Sequence, residues 1–372
     1  MSASLIHRAC PVCRGLQSTP HWQKGELRLV RCGDCGMVYA NPAPAGMASG
    51  EFYDTEGASY YLSAAKLESD YADVRFEREL KLFRQFCPRG AVLDVGCSSG
   101  AFLFQLKRRW PGDYEILGTD VSGAPLDYAE SRGVPVLRGN FLAQDFVIRP
   151  NPETPNASHP VPPNEPPPHP PLSLDGRESG VPLGERALQD SKVQSVRCCP
   201  GNSLPVGLGG GGWRPGEGFD AVTFWAVLEH LAEPRQFLEK ARSILRPGGL
   251  CFVLVPNLRS LAVRLLGAKY RYVYPQHLNY FTKLTLTRLA MESGFALAPV
   301  RFTHFNPVVI WQDWRGGGRD ISNQERGELL KRTTAYKQKS WLKPVKAAYQ
   351  LAEKCLAAFG LADNLVAVLS KR

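Results

Sequence analysis

Val92-Leu93-Asp94-Val95-Gly96-Cys97-Ser98-Ser99-Gly100 is a short apolar run that ends in a glycine-bracketed turn, and a helical pattern opens at Ala101. Val92 to Val95 suit a buried strand. Gly96 and Gly100 admit backbone conformations that side chains resist, so a ligand can approach the chain closely there. The pattern is Asp-x-Gly-x-x-x-Gly with Ser98 in the middle. It differs from the Gly-x-Gly-x-x-Gly of dinucleotide sites, whose pyrophosphate sits on the helix N-terminus, and this counts against a nicotinamide cofactor. Twenty residues beyond Gly100, a second strand ends in Gly118-Thr119-Asp120. That places a carboxylate where the ribose hydroxyls of an adenosine ligand lie in a doubly wound sheet. An acid after a strand also serves as a helix cap, here for the helix beginning near Ala124.

Outward from this stretch, strand and helix alternate. Strands are expected at Ala91 to Val95, Glu115 to Thr119, Val134 to Leu137, Ala221 to Trp225 and Leu250 to Val255, with helices from Ala101, from Pro125 and from Pro234 to Leu245. Such alternation predicts a parallel sheet, and the continuous apolar run of Leu250 to Val255 suits its buried centre. Ala296 to Phe302 and Asn364 to Leu369 add two strands at an antiparallel edge, after a helix over Lys283 to Ser293 and before the end of the chain. Basic helices broken by Pro344 fill Glu325 to Phe359. The expected fold is therefore α/β, with a doubly wound, mostly parallel, seven-stranded Rossmann-like sheet. An interruption at about 147–218 carries eleven prolines between Pro150 and Pro171 and the run Gly209-Gly210-Gly211-Gly212, around very few apolar residues. That composition reads as a disordered insertion within one domain, 89–372. A helical lead-in, 49–88, precedes it.

The first 48 residues form a separate small module ending in the turn-rich Asn41-Pro42-Ala43-Pro44-Ala45-Gly46. Cys10-Pro11-Val12-Cys13 and Cys32-Gly33-Asp34-Cys35 repeat Cys-x2-Cys across an 18-residue gap, which is the spacing of a structural zinc ion held by Cys10, Cys13, Cys32 and Cys35. Four thiolates leave no open position on the metal, so it is expected to hold structure and not to catalyse. No run reaches the roughly 20 apolar residues that cross a bilayer, and Met1 to Leu16 lacks the core of a signal peptide; a reducing, cytoplasmic setting is expected. The net charge is +10, and nine Lys or Arg against Glu353 and Asp363 give a local +7 between Lys331 and Arg372. Those helices are either a solvated face or a peripheral contact with an anionic membrane, with Trp341, Leu342 and Tyr349 among the lysines.

Leu93-Asp94-Val95-Gly96-Cys97-Ser98-Ser99-Gly100 resembles motif I of class I S-adenosylmethionine-dependent methyltransferases, whose middle position is usually glycine. The resemblance continues through Asp120, Gly139-Asn140-Phe141, Phe219-Asp220-Ala221-Val222, Leu228-Glu229-His230-Leu231 and Leu245-Arg246-Pro247-Gly248-Gly249-Leu250. It implies S-adenosyl-L-methionine as cofactor, bound by Asp94, Gly96, Cys97, Ser98 and Gly100, with Gly96 and Gly100 facing its methionine part, Asp120 at the ribose, and Asn140 with Phe141 at the adenine. It places Glu229 and His230 beside the methyl group. The cysteine module with Val38-Tyr39-Ala40-Asn41-Pro42, and Pro275-Gln276-His277-Leu278-Asn279-Tyr280-Phe281-Thr282 downstream, are similar to a bacterial subset associated with sugar and polysaccharide modification. Its sugar C-methyltransferases carry Glu-His where Gln276-His277 stands. This implies a small-molecule, glycan or lipid-linked acceptor.

Methyl transfer to a hydroxyl or carbon acid needs alignment and a base near neutral pKa, and His277 or His230, with Glu229 alongside, fits that role. Two alternatives stay open. An RNA methyltransferase would use the basic charge and the zinc module, but Trp225-Ala226-Val227-Leu228 stands where base-amino methylases resemble Asn-Pro-Pro-aromatic or Asp-Pro-Pro-aromatic, so nucleic acid is not the expected partner. A non-catalytic scaffold would keep the sheet and lose cofactor binding.

Overall fold

The computed structural model describes residues 4–55, 57–146, 218–317, 322–338 and 343–371. The expected insertion at 147–218 lies outside them except for Gly218, as do Trp341 and Leu342.

Besides a two-stranded pairing of Leu5–Ile6 with Ala43–Pro44, the strands in chain order are β1 (Ser18–Lys24), β2 (Leu27–Cys32), β3 (Val38–Ala40), β4 (Gly90–Val95), β5 (Tyr114–Asp120), β6 (Val136–Arg138), β7 (Phe219–Trp225), β8 (Leu245–Pro256), β9 (Asn279–Tyr280), β10 (Phe295–Leu297), β11 (Arg301–Thr303) and β12 (Asn364–Lys371). The large sheet runs β10-β12-β8-β7-β4-β5-β6, with β11 also paired to β12. The five strands from β6 to β8 are mutually parallel, and β12 lies antiparallel to β8. The α/β, doubly wound architecture is as the sequence implies.

Two elements differ. Strand β8 begins at Leu245, where helix was expected, and not at Leu250. The single strand expected over Ala296 to Phe302 is two, β10 and β11, so seven sheet positions hold eight strands. Leu297 faces Leu369 while Arg301 faces Val366, so four residue steps on this side span three on β12. Pro299, which has no N–H for the ladder, sits at the break.

Alternation along the central strands builds the two faces. Ala91, Leu93 and Val95 on β4, with Val222 and Phe224 on β7, pack into one core with Leu238 and Ala241 of the helix Pro234–Ile244 and Leu286 and Leu289 of the helix Lys283–Glu292. Val92 and Phe252 point the other way, onto Phe83 of the helix Glu77–Phe86 and Phe102 and Leu106 of the helix Ala101–Arg109. A sheet covered on both faces explains why its strands read as continuous apolar runs.

From β4 the chain winds outward to β5 and β6, then returns to β7 on the other side. The switch point, where ligands enter such sheets, is therefore the cleft beyond the carboxyl ends of β4 and β7.

The cysteine-bearing segment forms a second sheet ordered β9-β3-β2-β1, whose edge strand comes from residues 279 and 280, far downstream. Cys10, Val12, Cys32, Met37 and Tyr39 belong to the same buried core as one face of the large sheet.

Candidate active site

A cavity of about 740 Å³ opens at the switch point. Its floor is the turn after β4. Gly96 and Gly100 have φ of +73° and +72°, and Ser98 also adopts positive φ, +51°. At Gly96 a side chain would meet Val227 Cγ2 at 2.7 Å. Ser98 tolerates its left-handed backbone because its N–H donates to Asp120 Oδ2 at 2.8 Å, which offsets a strain of about 1–3 kcal/mol. Asp120 Oδ1 accepts the Ser122 N–H at 3.1 Å. Each carboxylate oxygen keeps a further lone pair, and Asp120 faces the cavity. Burial raises its pKa against the pull of these N–H bonds.

The remaining sequence-chosen residues on this side divide by role. Asp94 is buried under the turn, receives the Thr223 hydroxyl at 2.6 Å, and is pushed by burial up to about 7. The Cys97 thiol turns away into the sheet, where a side chain at Gly118 would lie 2.6 Å from it. Asn140 Oδ1 caps the short turn Phe141–Ala143 by accepting the Leu142 N–H at 2.9 Å. Phe141 is 2% exposed and packs against Phe224 and Phe237.

The opposite wall brings together Glu229, His230 and His277, whose ligand-type atoms lie within 4.8 Å of one another. Two loops meet to do this. The Leu278 and Asn279 N–H groups both donate to the Glu229 carbonyl, at 2.8 and 3.0 Å. Asn279 Nδ2 donates to the Leu228 and Leu231 carbonyls, at 2.8 and 2.7 Å, and Asn279 Oδ1 accepts from Arg8 at 3.1 Å. The pairing of β9 with β3 thus ties this wall to the cysteine-bearing sheet.

His230 Nδ1 lies 2.8 Å from the Gln276 carbonyl and 2.7 Å from the Tyr53 hydroxyl. A carbonyl oxygen only accepts, so Nδ1 carries the proton and Nε2 the lone pair. His277 donates to the Tyr272 carbonyl and packs 4.7 Å from the His230 ring, with Tyr274 at 4.4 Å. Burial lowers His230 to about 4 and holds His277 well below its ordinary value. It raises Glu229 to about 8. Burial thus disfavours the charged form of all three groups.

Tyr53, Asn279 and Arg326 were not singled out in the sequence. Tyr53 was legible only as one of several aromatics, and Arg326 only as part of a basic helix. That helix, Asn323–Gln338, lends Arg326, Leu329, Leu330 and Thr333 to the cavity wall. Tyr349, expected on a membrane-facing surface, also lines the cavity and stacks on Phe305.

In the N-terminal module, Cys10 Sγ lies 3.5 Å from Cys35 Sγ, and Cys13 Sγ lies 3.4 Å from Cys32 Sγ. Sulfurs about 2.3 Å from a tetrahedral zinc stand about 3.8 Å apart, so the four thiols need only a small adjustment. The knuckles are alike. Arg14 N–H donates to the Cys10 carbonyl at 2.9 Å, and Gly36 N–H to the Cys32 carbonyl at 3.1 Å. Backbone N–H groups of Val12 and Cys13 reach the Cys10 sulfur, and those of Asp34 and Cys35 the Cys32 sulfur.

The family model described as "Methyltransferase domain" matches residues 70–300, more than half of the chain. The chain belongs to that methyltransferase family. The methyltransferase is 36% identical over 140 residues to a ubiquinone biosynthesis O-methyltransferase of Parvibaculum lavamentivorans, covering 37% of this chain and 52% of the relative. It is 43% identical over 106 residues to the protein so described in Caulobacter vibrioides, covering 24% and 39%. The chain spans about half the length, or less, of these curated relatives. Among solved structures, an S-adenosylmethionine-dependent methyltransferase of Thermotoga maritima, described as a possible histamine N-methyltransferase, aligns over 85% of this chain and 99% of its own at 13% identity and a TM-score of 0.44.

Proposed function

We propose that this chain transfers the methyl group of S-adenosyl-L-methionine to a hydroxyl of a small-molecule acceptor. The observation that carries the reading is one cavity joining the Gly96–Gly100 turn and Asp120 on one side to the Glu229, His230 and His277 cluster on the other. The residues on the first side suit the cofactor. Among the described residues, Ser98 Oγ, Ser122 Oγ and Trp225 Nε1 are buried without a hydrogen-bond partner, as is Glu229 Oε2 on the facing wall, and all four residues line the cavity. A ligand with an amino acid end, ribose hydroxyls and ring nitrogens answers such unpaired groups, which are costly to leave unmade. Asp120 would take the ribose hydroxyls, and the backbone around Gly96 the amino acid end.

When bound, S-adenosylmethionine supplies an electrophilic methyl on a sulfonium sulfur, whose carbon–sulfur bond breaks as the acceptor's oxygen–carbon bond forms. The chain's own part is alignment and proton removal. His230 Nε2 takes the acceptor's hydroxyl proton, with its tautomer held by the Gln276 carbonyl; burial keeps its lone pair free at neutral pH but makes it a weaker base than the near-neutral histidine expected from the sequence. His277 and Tyr53 keep that ring in place, and the tyrosine-rich wall excludes water and gives a ring-shaped acceptor a flat surface.

Hydroxyl transfer accords with the O-methyltransferase names of the relatives. The sugar acceptor implied by the Pro275 to Thr282 segment is the second reading, since tyrosine faces also suit a sugar ring. In the N-terminal module the four cysteines would hold a structural zinc ion.

The test is methyl transfer from S-adenosylmethionine labelled in the methyl group, offered phenolic and sugar hydroxyl acceptors. Label appearing in one acceptor class with matching release of S-adenosylhomocysteine is the expected result. A chain that fails to bind S-adenosylmethionine by calorimetry is a non-catalytic scaffold, and the reading fails.

A further inference from the structure

Among the described residues, Lys66, Arg75, Arg271 and Arg326 are the cationic side chains that line the cavity. Three of them have carboxylate partners. Lys66 and Arg75 both engage Asp70. Arg271 donates from its backbone N–H and from Nε to the two oxygens of Asp313, each at 2.8 Å, and reaches Gln312 at 3.0 Å. Arg326 has no carboxylate partner among the described residues. Its guanidinium lies 4.1 Å from the centroid of the Tyr274 ring. It also donates to the Tyr274 hydroxyl, and neither contact neutralises the charge or uses up the five guanidinium donors.

The rings next to Arg326 are uncharged. Its field reaches Tyr60, Tyr272 and Tyr274, and both His230 and His277. The guanidinium is also held in position. Its helix, Asn323–Gln338, is fixed to the helix Ala64–Asp70 by Ser69 and Thr334 hydroxyls 2.6 Å apart and by Lys331 on Glu68 at 2.8 Å. Gly327 packs against Ser63 and Ala65. A cation pre-placed on a rigid element, stacked on an aromatic ring and facing a cavity without its own counter-ion, fits an anion brought by the ligand. The planar fork matches a carboxylate or phosphate in two-point contact.

We propose that Arg326 binds a carboxylate or phosphate carried by the acceptor, so that the acceptor is an anionic ring compound whose reacting hydroxyl is turned toward His230. This rests on the methyl-transfer reading for the identity of the acceptor side of the cavity. Arg326 determines specificity and takes no part in proton transfer.

The experiment is calorimetric titration of the full chain saturated with S-adenosylhomocysteine, using benzoate, phenyl phosphate and neutral benzamide, three probes with one ring and different head groups. At least one anion should bind about tenfold or more tightly than benzamide. Which anion wins assigns the group as carboxylate or phosphate. Arg326→Gln should abolish the preference and Arg326→Lys should keep part of it, while S-adenosylhomocysteine affinity stays constant in both variants. Equal binding of benzamide and the anions, binding of none of the three, or an anion preference that survives Arg326→Gln overturns the proposal. Loss of S-adenosylhomocysteine binding in the native chain is a separate result, which would overturn the methyl-transfer reading instead.

Discussion

Gly96, Ser98, Ser99 and Asp120 line one side of the cavity and come from a single stretch of chain, whereas the facing side draws Tyr53, Glu229, His277 and Arg326 from four separate segments. The first side is made of backbone. Positive φ at three residues and N–H bonds into one carboxylate shape it, and glycine spacing records that shape directly in the sequence. The second side is made of side chains brought together by tertiary pairing. Asn279 joins the loop after β7 to the segment around His277, and β9 hangs on β3. Two halves so differently built are expected to fail independently, and variants can test that separation.

The largest effect is expected from the zinc ion that we propose the four cysteines hold. Removing zinc with a chelator, or replacing Cys10 and Cys32 by serine, should release the knuckles that support β2 and β3, and with them the partner strand of β9. Folding of such small modules depends on the metal. Turnover should fall below detection while S-adenosylhomocysteine affinity changes by no more than about threefold, since the glycine turn has its own strand and helix. Elemental analysis should give one zinc per native chain. Protection of residues 279 and 280 in hydrogen exchange should collapse on chelation. If cofactor affinity fell together with turnover, the two halves would be one cooperative unit.

Next comes the proton. His230→Ala should lower kcat about 100-fold or more, the usual contribution of a positioned base, and leave cofactor affinity intact. His277→Ala should do less, because that ring touches the base and is committed to the Tyr272 carbonyl. The reverse ranking would move the base to His277. On the other side, Asp120→Ala should weaken S-adenosylmethionine by about 1–3 kcal/mol, the cost of leaving polar partners unpaired, with little change in kcat at saturation. Calorimetry reads this without an acceptor.

The contrast also explains how much was legible. The strand and helix alternation, the parallel centre and the antiparallel return of β12 follow from apolar periodicity, while the break at Pro299, the early start of β8 and the short strand β9 escaped it. Motif-bearing residues were found because their neighbours in space are their neighbours in sequence. Asn140 and Phe141 show the limit of that logic. Their positions beside the cavity were legible, but one side chain caps a turn and the other fills the core. Arg326 could not be singled out at all. Its meaning lies in having Tyr274 beneath it and no carboxylate partner among the described residues, while Lys66, Arg75 and Arg271, equally basic in sequence, are paired. Charge in a sequence does not reveal which cations are already answered.

The smallest effect concerns stability and comes from Glu229. Its folded pKa is raised to about 8 by burial, against about 4.3 in an unfolded chain. Between those values the folded state binds the extra proton, so its contribution is fully present below about pH 4.3 and is lost as pH rises through about 8. His230, lowered to about 4, acts oppositely. Between about pH 4 and 6.5 the unfolded state binds the extra proton, and stability rises with pH. The two oppose each other in weak acid. Above about pH 6.5 the histidine contribution is complete and Glu229 remains, joined up to about 7 by Asp94 and Asp363. The melting temperature of the native chain should therefore decline from pH 6.5 to 8, by the equivalent of at most about 2 kcal/mol from Glu229. Glu229→Gln removes this titration and should flatten the part of the decline between pH 7 and 8. A melting curve whose slope there is the same in both proteins would mean that Glu229 is ionised at neutral pH, and the cluster would then be a charged carboxylate supporting an imidazolium.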